Sequence, residues 1–155
     1  MVFNVEEVGA QGLHFNFKIK KEQLEIDKAG FDTNIDIDVS GFLTRVDSDV
    51  YLEGKVATEL ILNCSRCLDL LIHTIGSNFK THFTPSNPKL LLDGETELSI
   101  SDIDTEFYDE HRINLTQSVR DGLLLAVPLI CLCSKDCKGV CFECGKKLNY
   151  EACEC

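Results

Sequence analysis

Positive charge is scarce in this sequence. Its 155 residues include 15 lysines and arginines against 26 aspartates and glutamates, which gives a net charge of −11. A protein that binds nucleic acid tightly needs a positive surface to displace the counterions condensed on the phosphates. The charge of the whole chain therefore disfavours direct, high-affinity RNA binding, and it favours a basic protein as the partner.

Long hydrophobic runs are absent as well. The apolar stretch 123–131 is too short to span a bilayer, and Pro128 interrupts it. The N-terminal residues include Glu6 and Glu7 where a secretory signal would carry basic residues, and no apolar run of the usual length follows them. We therefore predict a cytoplasmic protein with no membrane contact, in which thiols stay reduced and clustered cysteines are ligands rather than disulfides.

The sequence also lacks a recognisable catalytic motif. It contains no Gly-rich phosphate loop, no Ser nucleophile elbow and no pair of carboxylates in a suggestive setting. The acidic stretch 102–110 does not have the spacing of a calcium loop, and a charge run of this kind is typical of a solvated face. The four histidines share no spacing that would suit a metal: His14, His73, His82 and His111. We therefore predict that the protein is not an enzyme and has no small-molecule substrate.

What the sequence does contain is the periodicity of half-buried strands. Apolar and polar residues alternate in three stretches, 13–20, 34–41 and 50–62. The alternation resumes over 71–83 after the interruption Cys64-Ser65-Arg66-Cys67, which predicts a long antiparallel hairpin with two cysteines at its tip. The following segment, 84–98, has the composition of a loop.

One helix is predicted after these strands. Apolar residues recur at helical spacing from Leu115 until Pro128 ends the pattern, and Asn114 with Gln117 resembles a capping box. We expect an α+β fold: mainly antiparallel β-sheet, as a sandwich or partly open barrel, with one C-terminal amphipathic helix over about 115–127 and a Cys-rich zinc-binding tail. Residues 1–130 would form the β domain and residues 131–155 a module packed on it, in a single structural domain.

Cysteine provides the strongest chemical signal. Seven of the nine cysteines lie within residues 131–155, and the other two are Cys64 and Cys67. Thiolates at two- and three-residue spacings suit a tetrahedral site in which each sulfur lies about 2.3 Å from a zinc ion. Nine cysteines make two four-sulfur sites with one left over, so we expect two structural Zn²⁺ ions.

The cysteines divide most simply into two groups. The last four form a self-contained site, in which Gly145 permits the positive φ of a zinc knuckle: Cys141, Cys144, Cys153 and Cys155. The other site joins the hairpin tip to the segment after the helix: Cys64, Cys67, Cys133 and Cys137. Cys131 is then left over and is expected to be a small buried hydrophobe.

Other uses of the same cysteines stay open. A single zinc ribbon would combine Cys64, Cys67, Cys141 and Cys144, and an iron–sulfur cluster would suit the same thiolates. A thiol redox motif at residues 64–67 would have to begin a helix of a βαβ unit, whereas here the motif lies between two predicted strands. Saturated four-sulfur sites leave no open position for a substrate, so they are structural.

Several motifs together resemble one known family. They are Cys-Ser-Arg-Cys-Leu at 64–68, Leu-Leu-Leu-Ala-Val-Pro at 123–128 and the cysteine string from Cys133 to Cys155. In order and spacing they are similar to the YceD family of bacterial and plastid proteins. The resemblance implies a role in the accumulation, processing or stability of large-subunit (23S) ribosomal RNA without an assigned catalytic activity. Phe142 and Lys147 depart from the family pattern, but neither change removes a ligand.

Three functions therefore compete. The first is a non-enzymatic ribosome biogenesis factor that acts through a basic ribosomal protein or assembly factor. The second is direct RNA binding by the zinc end, where Phe142 and Tyr150 would stack on bases beside the basic residues Arg66, Lys135, Lys138, Lys146 and Lys147. The third is a thiol-based redox protein.

Overall fold

The computed structural model describes residues 1–24, 26, 32–33, 35–86 and 105–155. Its seven strands are β1 (Val2–Asn4), β2 (Leu13–Ile19), β3 (Ile37–Val46), β4 (Asp49–Asn63), β5 (Leu70–Pro85), β6 (Thr105–Tyr108) and β7 (Arg112–Asn114). The α-helix α1 spans Thr116–Ala126, and 3₁₀ turns occupy Val5–Glu7 and Lys21–Leu24. Most of the loop predicted over 84–98 lies outside the described residues.

Five of the strands form one mixed sheet in the order β2-β3-β4-β5-β6. Strands β2 to β5 are antiparallel neighbours, whereas β6 runs parallel to β5. Strands β1 and β7 pair separately as a two-stranded antiparallel sheet. The prediction of mainly antiparallel sheet with one helix is therefore confirmed. The described residues form no closed barrel, and the predicted sandwich is not confirmed.

The long hairpin follows the predicted alternation. Along β4, residues at even positions from Val50 to Leu62 are buried, while most of their odd-numbered neighbours are exposed. Successive side chains of a strand point to opposite faces, so the even-numbered face of β4 lies against the core. Helix α1 covers this face, and Val119 and Leu123 are fully buried there.

Two glycines allow the helix to lie close to the sheet. The Phe79 ring lies between Gly54 of β4 and Gly122 of α1. A Cβ atom added at Gly54 would lie 2.3 Å from the ring, and one added at Gly122 would lie 2.8 Å from it. A side chain at either position would therefore have to displace Phe79.

Two local sequence predictions are wrong. Gln117 does not complete a capping box, because its amide donates to Asp121 at 2.9 Å, and Asn114 Oδ1 instead accepts from the Thr116 N–H at 3.1 Å. The acidic stretch is not simply a solvated face, since β6 lies within it and Tyr108 is buried. None of the helices in the described ranges is long and apolar enough to cross a membrane.

The hairpin extends beyond the rest of the sheet. Strand β3 pairs with β4 only as far as Ala57, whereas the pairing of β4 with β5 continues to Asn63 and Leu70. Beyond β3, Asp32 forms a bridge with Ile61 at the outer edge of β4, and no other described residue pairs with that edge. Residues 58–63 and 70–75 thus form a ribbon, which we call the hairpin arm, that carries the Cys-x-x-Cys motif at its end.

Candidate metal centres

A tight turn at the end of the hairpin arm holds Cys64 and Cys67. The Cys64 N–H donates to the Asp69 carbonyl at 2.8 Å, and the Leu68 N–H donates to the Cys64 carbonyl at 3.0 Å. Leu68 has a φ of +61°, in the left-handed region that a leucine rarely adopts. Both thiols are fully buried, and Leu71 and Leu132 pack against them.

Two cysteines from the segment after α1 complete the first quartet, defined as Cys64, Cys67, Cys133 and Cys137. Their four sulfur atoms all lie within 4.8 Å of one another. Cys64 Sγ is 3.8 Å from Cys137 Sγ, and Cys67 Sγ is 3.5 Å from Cys133 Sγ. A tetrahedral zinc with bonds of about 2.3 Å would separate its sulfurs by about 3.8 Å. The first quartet therefore has the size that such an ion requires.

Hydrogen bonds of the backbone and of two side chains join the same two segments. The Ser65 N–H donates to the Cys131 carbonyl at 2.7 Å, and the Cys131 N–H donates to Ser65 Oγ at 3.1 Å. Arg66 donates from its guanidinium to the Cys137 carbonyl at 3.0 Å. Cys131 itself is buried in the main core and belongs to neither quartet.

The four adjacent thiols of the first quartet differ in how readily they ionise. Backbone N–H groups of Cys67, Arg66 and Cys133 lower the pKa of Cys64 to about 6. The side-chain amide of Asn149 likewise lowers the pKa of Cys137. In contrast, although the Asp69 N–H favours the Cys67 thiolate, burial, the neighbouring sulfurs and the Asp69 carboxylate together raise the pKa of Cys67. Four adjacent thiols cannot all ionise unless a positive charge lies between them, because the thiolates would repel one another. A divalent cation would supply that charge.

The second quartet is Cys141, Cys144, Cys153 and Cys155. Its sulfurs also lie within 4.8 Å of one another, and Cys153 Sγ is 3.3 Å from Cys141 Sγ and 3.5 Å from Cys144 Sγ. The turn between the first two cysteines ends at Gly145, which has a φ of +73° and donates from its N–H to the Cys141 carbonyl at 2.9 Å. This is the turn that a zinc knuckle requires.

The thiols of the second quartet also titrate unequally. The Cys144 N–H, followed by Cys153 and the Glu143 N–H, lowers the pKa of Cys141 to about 6. Although the Cys155 N–H favours the Cys153 thiolate, the three neighbouring sulfurs raise the pKa of Cys153 to about 12. The second quartet is more exposed than the first, with Cys144 and Cys155 at the surface.

The structure thus places each cysteine with the group that the spacing favoured. Cys64 and Cys67 lie with Cys133 and Cys137, rather than with Cys141 and Cys144 as a single zinc ribbon would require. Each group could hold one metal ion.

Two polar residues of this region were not singled out by the sequence. Asp69 lies two residues after Cys67, and its Oδ2 atom accepts from the Tyr150 hydroxyl at 3.0 Å. Asn149 donates from its amide to Cys137 Sγ at 3.2 Å. Asn149 lies within the cysteine string that carries the family resemblance, but no periodicity indicates that its amide contacts Cys137, 12 residues away, or that Asp69 contacts Tyr150, 81 residues away.

Some of the five basic residues predicted to contact RNA or a partner already interact with other groups of the protein. Lys147 forms an ion pair with Asp69, and Lys146 lies 3.4 Å from Glu151. The Arg66 side chain donates to a main-chain carbonyl. Lys135 and Lys138 are exposed and form no ion pair within the described part of the chain. Two of these five basic groups, Lys146 and Lys147, are therefore paired with carboxylates.

Comparison with known proteins gives consistent matches. A protein-family model described as "Large ribosomal RNA subunit accumulation protein YceD" matches residues 52–155. The chain is 28% identical over 124 residues to "Large ribosomal RNA subunit accumulation protein YCED homolog 1, chloroplastic" of Arabidopsis thaliana, which covers 67% of this chain and 39% of that protein. The protein of the same name from Zea mays is 26% identical over 126 residues, covering 67% and 43%. The chain thus spans about two fifths of the length of these relatives. No solved structure matches it.

Proposed function

The chain belongs to the YceD family of large ribosomal RNA subunit accumulation proteins, and from this membership we propose that it is a non-enzymatic ribosome biogenesis factor. In this role it supports the accumulation, processing or stability of 23S ribosomal RNA in the cytoplasm. The observation that carries the proposal is the family match over residues 52–155, which includes both quartets and most of the long hairpin.

Two structural zinc ions are the second part of the proposal. Cys64, Cys67, Cys133 and Cys137 would hold one ion, and Cys141, Cys144, Cys153 and Cys155 the other. Four sulfurs saturate a tetrahedral zinc, so the ion offers no position for a substrate or water and works by holding the chain together. This also argues against the redox alternative, because metal-bound thiolates are not free to exchange.

The partner is proposed to be a basic ribosomal protein or assembly factor. An acidic chain with a net charge of −11 attracts basic surfaces and repels RNA phosphates. The pairing of Lys146 and Lys147 with carboxylates weakens the case for an RNA surface at the zinc end. The observation that favours direct RNA binding as the second candidate is Phe142, whose ring is 93% exposed and could stack on a base.

An apolar stripe on the hairpin arm is the proposed docking surface. Leu68, Leu70 and Ile72 are 65%, 72% and 70% exposed. Leu70 and Ile72 lie on one face of β5, where Ile72 is directly opposite Ile61 of β4. Neighbouring exposed apolar side chains of this kind mark interaction sites, because each is held in water at a cost in free energy. An apolar stripe on an acidic body fits a basic amphipathic segment of a ribosomal protein.

The test uses the full chain loaded with zinc. Leu70→Ser/Ile72→Ser should abolish capture of the ribosomal protein or assembly factor that the wild-type chain captures. Val46→Ser, which replaces an exposed apolar residue on β3, should leave that capture unchanged. Binding should weaken as salt rises. In parallel, filter binding of large-subunit RNA should be no better than that of albumin. Strong RNA retention would support the second candidate, and unchanged capture by the stripe variant would overturn the proposed surface.

A further inference from the structure

A loop that belongs to the second quartet contacts the first. This linker loop, residues 147–150, lies between Cys144 and Cys153, so a metal in the second quartet would fix both of its ends. The Asn149 amide nitrogen lies 3.2 Å from Cys137 Sγ and 3.8 Å from Cys133 Sγ. Asn149 Oδ1 accepts from the Lys138 N–H at 2.7 Å. That bond orients the amide so that its N–H groups point at the sulfurs.

The same loop also contacts the other half of the first quartet through Asp69. The Asp69 carboxylate accepts from Lys147 Nζ and from the Tyr150 hydroxyl, and its Oδ2 atom lies 3.3 Å from Cys67 Sγ. A carboxylate so close to a thiolate would repel it. The Lys147 ammonium and the Tyr150 hydroxyl offset that repulsion by donating to the carboxylate. The loop therefore supports Cys67 as well as the Cys133–Cys137 pair.

Among the described residues, the other ties of the linker loop are backbone contacts with the preceding turn. Its backbone is tied to the preceding turn through the Leu148 N–H, which donates to the Gly139 carbonyl at 2.9 Å, and through a bridge between Val140 and Lys147. Lys147, Asn149 and Tyr150 are all exposed. A segment with few buried apolar contacts is ordered only if something else offsets its loss of conformational freedom. Metal bonds on either side of the loop would do so.

We propose that the two quartets are coupled: metal in the second quartet strengthens metal binding in the first, and Asn149 is the positioning residue that transmits the effect. When the second quartet is filled, Asn149 is held where its amide contacts the Cys133 and Cys137 sulfurs, which fixes the positions of these two ligands around an ion in the first quartet. By thermodynamic linkage, metal in the first quartet strengthens binding in the second by the same factor.

The inference rests on the metal sites of the proposed function, but not on its ribosomal role. Loss of groups that hydrogen-bond to metal ligands weakens metal affinity by about 10- to 100-fold in known sites. Asn149→Ala should therefore speed release of zinc from the first quartet to a chromophoric chelator by about tenfold. Disrupting the second quartet with Cys153→Ser/Cys155→Ser should speed it at least as much, because the whole loop is freed. In the Cys64→Ser/Cys67→Ser variant only the second quartet can release zinc. This variant therefore shows which phase of the release curve belongs to the second quartet.

A double-mutant cycle separates coupling from general damage. Asn149→Ala should have its full effect when the second quartet is intact and little effect in the Cys153→Ser/Cys155→Ser background. Glu151→Ala is the matched control, since this residue of the same region contacts Lys146 rather than a sulfur. With cobalt in both sites, Asn149→Ala should also shift the thiolate charge-transfer band of the first quartet, and Glu151→Ala should not.

The outcomes distinguish this inference from the proposed function. If both quartets bind zinc but release from the first is unchanged by Cys153→Ser/Cys155→Ser, the coupling is refuted and the metal sites stand. Equal effects of Asn149→Ala in both backgrounds would refute its role as transmitter. Failure of the wild-type chain to bind metal would overturn the zinc part of the proposed function, and the coupling with it.

Discussion

Removing the first metal site should destabilise the whole β body. The first quartet connects the hairpin tip to the segment after α1, and the loop closed between Cys67 and Cys133 contains 65 residues. A covalent cross-link over a loop of that length would stabilise a protein by about 4 kcal/mol through the lost entropy of the unfolded chain. Small domains have only about 5–15 kcal/mol in total. We therefore expect Cys64→Ser/Cys67→Ser to lose about 4 kcal/mol of unfolding free energy in the presence of zinc.

The measurement is urea unfolding followed by far-UV circular dichroism, because the chain has no tryptophan to report by fluorescence. With a slope of about 2 kcal/mol per molar urea, the midpoint should fall by about 2 M. The substitutions also place hydroxyls in a fully buried site, so each protein is compared with its own metal-free form. That comparison isolates the contribution of the metal.

The second quartet provides the matched control. Its four cysteines lie within the last 15 residues, 141–155, so the loop they close does not include the strands or the helix. In excess zinc, Cys153→Ser/Cys155→Ser should therefore shift the midpoint much less than the tip variant does. If zinc-loaded and metal-free wild-type protein unfolded at the same urea concentration, the stabilisation expected from a metal in the first quartet would be refuted.

Three further predictions concern metal content and the core. Elemental analysis should find two zinc ions per wild-type chain and one after either pair of cysteine substitutions, and iron in their place would contradict the assignment. In the same urea assay, Gly122→Ala should lower the unfolding free energy by about 1–3 kcal/mol, because the new Cβ would lie 2.8 Å from the Phe79 ring. Gly76→Ala should lower it little, because the nearest neighbour of its new Cβ would be 3.6 Å away. Burial raises the pKa of Glu106, so the folded chain loses stability as pH rises from the ordinary glutamate value to the raised one. Glu106→Gln still accepts from Ser118 and should therefore raise the unfolding free energy at pH 7 by less than about 1 kcal/mol, since solvent screens a half-exposed group. This gain should shrink as pH falls towards about 4.3, and a gain that persisted there would refute the explanation.

The hairpin and the turn that holds Cys141 and Cys144 were predictable because their signals are local. Alternation from Val50 to Leu62 fixes which face of β4 is buried, and the same alternation over 71–83 places the Cys-x-x-Cys motif between two strands. The spacing of Cys141 and Cys144 similarly indicates one tight turn. Each of these conclusions needs only residues that are neighbours along the chain.

The strand β6 could not be predicted in the same way. It is four residues long, contains Glu106, and pairs in parallel with β5 across a long connection. Parallel pairing is set by where the intervening chain returns, and a period of two over four residues is too short to detect it. The contacts of Asp69 with Lys147 and Tyr150 were hidden for a related reason, since about 80 residues separate the partners.

The position of the first quartet suggests how a metal ion there would support the proposed docking surface. A two-stranded ribbon is marginally stable on its own in water. Beyond Ala57 the hairpin arm is such a ribbon, held to the body by the Asp32–Ile61 bridge and by Leu60 and Leu62 in the core. The exposed stripe of Leu68, Leu70 and Ile72 lies at its end. The first quartet clamps the end of that ribbon to the segment that follows α1, which is packed on the sheet. The ion would thus hold the stripe in one shape before a partner arrives, which reduces the ordering that binding requires.

Chelation should have two separable effects: loss of partner capture and loss of stability of the sheet. At urea concentrations where the metal-free body is still folded, removal of zinc should already abolish capture of the partner, because the arm loosens before the sheet unfolds. Hydrogen exchange should then show faster exchange at the amides of residues 60–72 than at those of β2 and β3. If the metal-free chain captured its partner as well as the zinc-loaded chain, the stripe would need no clamp, and zinc would serve only the stability of the body.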